Sequence, residues 1–213
     1  MKKILTAITL LTSTYLANAQ REGLWIAPQF TIGGGTMTDV FPTAYSPDAT
    51  AIFNIGVDGY YMFGNHFGVG TGVNYGAYAY QWTGNSLQLN GTQIKMDVPV
   101  YLRLVSGSRG GGFFAQFGLM NSILLSAEET IKQGGTETKF TGREGKEGHE
   151  SYSISPFVYF GGSIRCGNKV NMTLGPIIQY QLSNNFTSDS GLEGHYLLFG
   201  FKMGVGIHAV SFN

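Results

Sequence analysis

The stretch that most constrains this chain is Gln93–Val105, in which two kinds of residue alternate for thirteen positions. The even positions from Ile94 to Leu104 are all aliphatic or Met, whereas the odd positions include Lys95, Asp97 and Arg103. A period of two predicts a β-strand with an apolar face and a charged face. Twelve residues at about 3.3 Å each span roughly 40 Å. Ordinary strands have about five or six residues and tilted membrane strands about 9–11, so the stretch predicts a membrane-spanning strand.

The composition favours an all-β protein with a non-aqueous outer surface. Charged residues make up 12% of the chain, about half of the usual quarter in a soluble domain. Glycine is abundant, with 32 residues, and aromatic residues reach 14%. The sequence contains no run of 18 apolar residues, so no transmembrane helix is predicted. The 13 Lys and Arg balance 13 Asp and Glu, so no basic field exists to attract nucleic acid.

The first nineteen residues have the pattern of a secretory signal peptide. Lys2 and Lys3 precede a short apolar run, and Ala17-Asn18-Ala19 supplies small residues before a cleavage site. We therefore expect residues 1–19 to be a cleaved signal peptide and residues 20–213 to form one outer-membrane β-barrel domain. Cys166 is the single cysteine, so no disulfide can form within the chain.

Eight extended segments follow the signal peptide, and the connections between them alternate in length. Three connections are short, namely 64–66, 106–111 and 166–169, and four are long, namely 34–51, 83–92, 126–151 and 183–195. An up-and-down membrane barrel has short periplasmic turns and longer extracellular loops. The predicted segments are Leu24–Gly33, Ile52–Phe63, Phe67–Trp82, Gln93–Val105, Phe113–Leu125, Tyr152–Arg165, Val170–Leu182 and Tyr196–Ala209.

These patterns together predict a closed, eight-stranded, up-and-down antiparallel transmembrane β-barrel in the outer membrane. An even number of strands places both ends of the barrel domain on the periplasmic side. Ten charged residues between positions 128 and 150 predict a solvated, mobile extracellular loop. Aromatic residues near the segment ends, at 60–67 and 78–82, predict interfacial girdles.

The inward face of the predicted barrel carries charged residues that would fill the lumen. An eight-stranded barrel is narrow enough for side chains to fill, so these residues are expected to be structural and passive transport is disfavoured. Four prolines fall inside predicted strands, at 28, 99, 156 and 176, where we expect local bulges. The predicted lumen cluster is Asp58, Lys95, Asp97, Arg103, Arg165 and Lys202.

Three short runs resemble a known family. Residues 97–103, 118–127 and 67–75 are similar to strand motifs of the PorT-like outer-membrane β-barrel domain family, which is abundant in Bacteroidetes. The resemblance covers most of residues 20–213, and its motifs imply a barrel rather than an activity. The family's namesake is implicated in secretion across the outer membrane. The terminal Phe212-Asn213 departs from the terminal aromatic residue that is common in such barrels.

No catalytic, cofactor or metal site is predicted. His66, His149, His195 and His208 are scattered, and one cysteine cannot build a thiolate site. The runs Gly33–Gly35 and Gly110–Gly112 lack the strand–loop–helix context of a phosphate loop and are predicted to be turns. Because His149 and His195 have carboxylates nearby in sequence, a lipid or peptide hydrolase at the extracellular rim is the third hypothesis.

Two other functional hypotheses rank above the hydrolase. The leading hypothesis is a structural or interaction protein that presents a surface outside the cell, chiefly through residues 126–151. The second is a component of an outer-membrane secretion or assembly machinery, which would bind its partners through periplasmic turns or the lipid-facing wall. The expected partners are outer-membrane lipid and other envelope proteins.

Overall fold

The alternating segments form a closed ring of β-strands. The computed structural model describes residues 22–41, 46–48, 50–84, 87–107, 111–142, 146–166, 169–188 and 193–210, and the predicted signal peptide at 1–19 lies outside them. None of these residues belongs to a helix long and apolar enough to cross a membrane. The strands are β1 (Gly23–Phe41), β2 (Ser46–Asp48), β3 (Thr50–Phe63), β4 (Phe67–Gly84), β5 (Leu87–Val105), β6 (Gly111–Gln133), β7 (Thr136–Phe140), β8 (Tyr152–Cys166), β9 (Val170–Tyr180) and β10 (Glu193–Val210).

Eight of the strands pair in an antiparallel circle, which confirms the predicted fold class. The order is β1, β3, β4, β5, β6, β8, β9 and β10, and β10 pairs again with β1. Strand β2 attaches to β4 and strand β7 attaches to β6, both outside the circle. Since Leu24 lies opposite Val210, the first and last strands meet at the end of the barrel that carries the short turns.

The two faces of the strands are distributed as the alternation predicts. In β5 the outward Val100 and Leu102 are 57% and 49% exposed, whereas the inward Tyr101 and Arg103 are 3% and 2% exposed. Large apolar side chains cover the outside of all eight ring strands. A soluble barrel would have the opposite arrangement, so this outer surface is matched to lipid. Closure of the ring pairs the backbone groups that lipid could not satisfy.

Several strands extend further than the sequence predicts, and some predicted loops are therefore wrong. Strands β4 and β5 pair as far as Gly84 and Leu87, so residues 83–84 and 87–92 are paired strands rather than parts of a long loop. Strand β6 continues to Gln133 and turns into β7, so much of the region 126–151 is ordered sheet. The glycine run Gly33–Gly35 lies within β1 and pairs with both neighbouring strands.

The hydrophobic pattern inverts where β4, β5 and β6 leave the lipid belt. Below Ala77, Ile94 and Leu125 the outward residues of these strands are apolar apart from Thr71 and Asn121, whereas above these positions they are polar or charged apart from Ala79. The inward residues beyond the same positions become large and apolar, as at Trp82 and Leu89. The register of β6 against β5 shifts by one residue at Leu125, and this bulge turns Glu129 and Ile131 toward the inside.

Among the described residues, the girdle predicted at 60–67 is found on the outer surface apart from the inward Tyr60, whereas the residues of the girdle predicted at 78–82 point inward. At the periplasmic end, Tyr61, Phe63 and Phe67 lie on the outer surface and their rings contact each other. The aromatic side chains at 78, 80 and 82 point inward and are 1–3% exposed. They fill the barrel rather than ring it, because the lipid belt ends just below them.

The strand prolines interrupt ladders without bulges, so the predicted bulges are wrong. Pro99 pairs with Met120 on its β6 side. On its β4 side, two residue pairs are missing from the ladder at Val98 and Pro99, and the pairing continues beyond them in the same register. Pro28 and Pro176 lie at similar two-pair gaps, toward β10 and β8 respectively. Pro156 lies beyond the end of the ladder to β9. Each proline thus loses pairing on one side only, and the faces of the strands are preserved.

Candidate functional site: the filled lumen and the extracellular sheet

The periplasmic half of the lumen is organised around a buried ion pair. Asp58 of β3 and Lys202 of β10 are 1% and 3% exposed, and Lys202 Nζ lies 3.4 Å from Asp58 Oδ2. Gln29 Nε2 donates to Asp58 Oδ1 at 2.6 Å and to Asn74 Oδ1 at 2.9 Å. The ammonium of Lys202 also lies 5.2 Å from the centre of the Tyr159 ring. The pair ties together strands on both sides of the β1–β10 seam.

Two arginines lie nearer the periplasmic mouth. The guanidinium of Arg103 stacks between the rings of Tyr60 and Phe114, at 4.5 and 5.1 Å from their centres. Arg165 is half-buried on the inward face of β8. The cluster of buried residues around them includes Trp25 and Phe157.

The middle of the lumen holds Asp97 and Lys95, which do not pair with each other. Asp97 accepts hydrogen bonds from Tyr78 Oη and, at 2.8 Å, from Asn54 Nδ2. Lys95 Nζ donates to Asn185 Oδ1 at 3.3 Å and to Gln181 Oε1 at 3.5 Å. All six residues predicted for the lumen thus lie on inward faces. Among the described residues, Asp58 and Lys202 form the one direct ion pair within this set.

A polar cluster that the sequence did not predict lies in the extracellular half. His149 Nε2 lies 2.7 Å from Glu129 Oε1, and Tyr80 Oη donates to the same carboxylate oxygen. On the other side of the ring, His149 Nδ1 lies 2.9 Å from Gln93 Nε2. The inverted pattern of β6 is the sequence signal that could have placed Glu129 inside.

The segment after β9 folds inward and closes the extracellular mouth. Asn185 and Phe186 are 3% and 2% exposed, and Phe186 forms an isolated β-bridge with His149. The ring of Phe186 packs edge-on against Trp82 at 5.0 Å between centres. The segment 181–188 is called the plug below. It overlaps the start of the long extracellular connection predicted for residues 183–195.

Buried side chains fill much of the lumen in the described part of the chain. Its central cavity, lined by residues such as Asn54 and Gln179, measures about 30 Å³. A single water requires about 10–15 Å³, so this cavity accommodates a couple of waters. Side chains fill the space on both sides of it.

The histidines do not form a catalytic set. His149 points into the barrel, whereas His195 lies on the outward face of β10 and stacks on Tyr180 at 6.1 Å. His66 and His208 contact backbone carbonyls near the periplasmic end. Within the described residues no group of three or more His, Cys, Asp or Glu could hold a metal ion. The two histidines of the hydrolase alternative, His149 and His195, therefore lie on opposite faces of the barrel wall.

The chain forms a polar sheet beyond the lipid belt. This extracellular sheet consists of residues 79–84 of β4, 87–92 of β5, 128–133 of β6 and strand β7. Its outer face carries side chains such as Gln81, Asn90 and Thr130. Two exposed ion pairs link β6 to β7, from Lys132 to Glu137 at 3.2 Å and from Lys139 to Glu128 at 3.3 Å. Exposed pairs of this kind contribute little stability, but they keep this face water-soluble.

The burial of Tyr80 predicts that the stability of the folded protein decreases at alkaline pH. It lies above the lipid belt, where burial and the neighbouring Glu129 carboxylate raise its pKa well above the ordinary value. Above about pH 10 an unfolded tyrosine loses its proton, whereas the folded Tyr80 keeps it, so stability falls as pH rises through this range. We expect Tyr80→Phe to flatten the dependence of the urea midpoint on pH between 9 and 11. A variant with the original slope would contradict this assignment.

Comparison with solved structures gives the same architecture. The outer membrane protein OprG from Pseudomonas aeruginosa matches with a TM-score of 0.51 and 12% identity, over 89% of this chain and 98% of that chain. Neisserial surface protein A gives a TM-score of 0.44 and 13% identity, over 88% and 100%. Ail of Yersinia pestis gives 0.42 and 10%, over 86% and 99%. At 12% identity, the likeness to OprG indicates a shared fold only.

A closed eight-stranded ring with a lipid-facing belt defines the class of protein. The chain is a small outer-membrane β-barrel, and it lies in the outer membrane. No family model matches its sequence, and no curated protein matches it.

Proposed function

We propose that this barrel presents an interaction surface outside the cell, carried by the extracellular sheet. The observation that carries this proposal is the inversion of the strand pattern above the lipid belt. Strands β4, β5 and β6 continue well beyond the membrane, with a polar outer face and an apolar inner face. Membrane spanning alone does not need this extra length, and the filled lumen argues against passive transport.

The chemistry of the sheet suits a protein partner. Its outer face mixes amides, hydroxyls and paired charges of both signs, so it has no strong field to select a polyanion or a polycation. Strand β7 pairs with β6 alone among the described strands. An edge strand offers free backbone groups to an extended segment of another chain. We therefore place the contact on the outer face and the β7 edge.

The second candidate is a component of a secretion or assembly machinery, as the PorT-like resemblance implies. One observation favours it. Gly59 leaves an apolar indentation of about 550 Å³ in the lipid-facing wall, flanked by Tyr61, Leu102 and Leu119. A partner in the membrane could fill this indentation, although lipid chains could fill it as well.

Site-specific photocrosslinking in intact cells distinguishes the two candidates. A photoreactive phenylalanine analogue would replace Thr130 on the sheet, Leu102 in the indentation or Asn65 in a periplasmic turn. Phe201, which is 62% exposed on the far lipid-facing wall, is the matched control position. We expect a discrete protein adduct from Thr130 and none from Phe201. Adducts to the same few proteins from Leu102 and Asn65, without one from Thr130, would favour the machinery and overturn the first proposal.

A further inference from the structure

Strand β7 extends the barrel wall beyond the end of β8 and has a free edge. One side of β6 pairs with β5 from Phe114 to Gln133. The other side pairs with β8 as far as Ile123 and then with β7 from Glu129 onward. Strand β7 therefore lies above β8 in the same wall. The edge of β7 that faces away from β6 pairs with no described strand, and residues 136–139 are all exposed.

The sequence of β7 is complementary to itself when two copies are placed antiparallel about Thr138. The strand is Thr136-Glu137-Thr138-Lys139-Phe140. In this register Glu137 of each copy lies opposite Lys139 of the other, and the two Thr138 residues face each other. Thr136 lies opposite Phe140. Opposite charges, paired threonines and an aromatic residue beside a β-branched one are all favourable cross-strand pairs, so every position of the strand finds a suitable partner.

Other registers of the same strand are unfavourable. Pairing centred on Glu137 or on Lys139 puts two like charges directly opposite each other, which is destabilising. A shift by one residue would match Glu137 with Thr138, which lies on the other face of the sheet, so the pleat of the strands opposes it. A parallel pair in register would place Glu137 against Glu137 and Lys139 against Lys139. The order of the charges therefore selects one antiparallel register.

The neighbouring strand β6 continues the alternation of charge. Lys132 Nζ lies 3.2 Å from Glu137 Oε2, and Lys139 Nζ lies 3.3 Å from Glu128 Oε2. In the paired sheet, Glu137 would lie between its own Lys132 and Lys139 of the second copy. Lys139 would likewise lie between two carboxylates. Isolated exposed ion pairs contribute little, but several charges in a network contribute more, and this row joins four strands.

The symmetry of such a contact determines where the second copy lies. Identical antiparallel strands of one sheet are related by a two-fold axis perpendicular to the sheet, which is an isologous contact. Because β7 continues the upright wall of the barrel, this axis runs along the membrane plane and inverts one barrel relative to the other. Two barrels in one membrane share the same orientation, whereas barrels in two facing membranes are inverted.

We propose that the β7 edge binds the β7 edge of a second copy of this chain in a facing outer membrane. This inference rests on the proposed function and names the protein partner of the extracellular sheet. Specific, stable interfaces bury about 1,200–2,000 Å², and five paired residues form a smaller contact, so one pair of barrels should dissociate readily. Many copies on two facing membranes act together, and such multivalency raises the overall affinity by about 10²–10⁴.

Clustering of vesicles tests the contact and its register. The barrel would be reconstituted into phosphatidylcholine vesicles carrying one of two dyes, using preparations whose extracellular sheet is open to external protease. Two-colour fluorescence then counts the clusters that contain both dyes. We expect the original chain to cluster the vesicles. Glu137→Lys and Lys139→Glu should each abolish clustering, because each variant places like charges opposite each other at two positions of the paired strands.

Mixing the two variants provides the decisive measurement. When Glu137→Lys vesicles meet Lys139→Glu vesicles, the introduced lysine lies opposite the introduced glutamate, and the native Lys139 lies opposite the native Glu137. Clusters that contain both dyes should therefore return, although neither variant clusters alone. A loss caused by misfolding could not be restored in this way. The side chains of Glu137 and Lys139 are 58% and 57% exposed, so both variants should fold.

Asp48→Lys is the matched control, because it reverses an exposed carboxylate of β2, away from the β7 edge. This variant should cluster vesicles as the original chain does. Absence of clustering by the original chain, clustering that survives in both β7 variants, or a mixture that stays dispersed would overturn the inference. A crosslinked adduct between Thr130 and a different protein, together with dispersed vesicles, would retain the proposed function and reject the second copy as its partner.

Discussion

Replacing Lys202 with methionine is expected to lower the free energy of unfolding by about 3–5 kcal/mol. The substitution removes the cation that lies 3.4 Å from the Asp58 carboxylate, and Asp58 is only 1% exposed. The carboxylate keeps its hydrogen bond from Gln29 but loses its compensating charge. Urea unfolding in phospholipid vesicles, followed by the fluorescence of Trp25 and Trp82, measures the change.

The double variant Asp58→Asn with Lys202→Met separates charge burial from packing. Removing both charges leaves no isolated ion in the lumen, and such replacements are often close to neutral. We expect the double variant to recover most of the stability that the single variant loses. If the two variants were equally unstable, the ion pair would contribute through its shape rather than its charge.

Replacing Trp82 with alanine is expected to cost about 3–5 kcal/mol and to loosen the extracellular mouth. Trp82 is 1% exposed, it packs against Phe186 of the plug, and its Nε1 donates to Met37 Sδ at 3.2 Å. Its loss leaves Phe186 beside a cavity, so the plug is no longer held on that side. The same vesicle unfolding experiment, followed through the remaining tryptophan, gives the stability.

Thiol labelling measures the opening of the plug. In a Cys166→Ser background, which removes the exposed native thiol, a cysteine would replace Asn185. We expect labelling from the extracellular side to be slow in this background and much faster when Trp82→Ala is added. Leu182→Ala is the matched control, because Leu182 belongs to the same segment but is 57% exposed. Equal labelling rates for the three proteins would show that Trp82 does not hold the plug.

The transmembrane part of the fold was predictable because its pattern is local. From Ile94 to Leu104 each residue contacts either lipid or the lumen, so every second side chain reports the face of the strand. The same alternation placed Asp58, Arg103 and Lys202 on inward faces. Their partners could not be predicted, because Asp58 and Lys202 are 144 residues apart in the sequence and meet only when the ring closes.

The extracellular half was not predicted because it follows a different rule. Above the belt, water replaces lipid outside, so apolar side chains such as Trp82 must turn inward to be buried. The bulge at Leu125 adds a further break in phase. A strand that reverses its pattern and also gains one residue has no continuous period, so the sequence pattern was interpreted as a loop. For the same reason, the cluster of Glu129, His149 and Tyr80 was not predicted.

The extracellular parts of β4 and β5 can lengthen without changing the faces of the two strands. Two residues added to each strand at the top of the lipid belt, beside the paired Ala77 and Ile94, would raise the part above by about 7 Å and keep its side chains on the same faces, since side chains repeat every two residues. One residue added to each strand at these points would instead turn Trp82 outward and Gln81 inward. Changes in the height of this structure should therefore occur in even steps, while the lipid belt below keeps a fixed length.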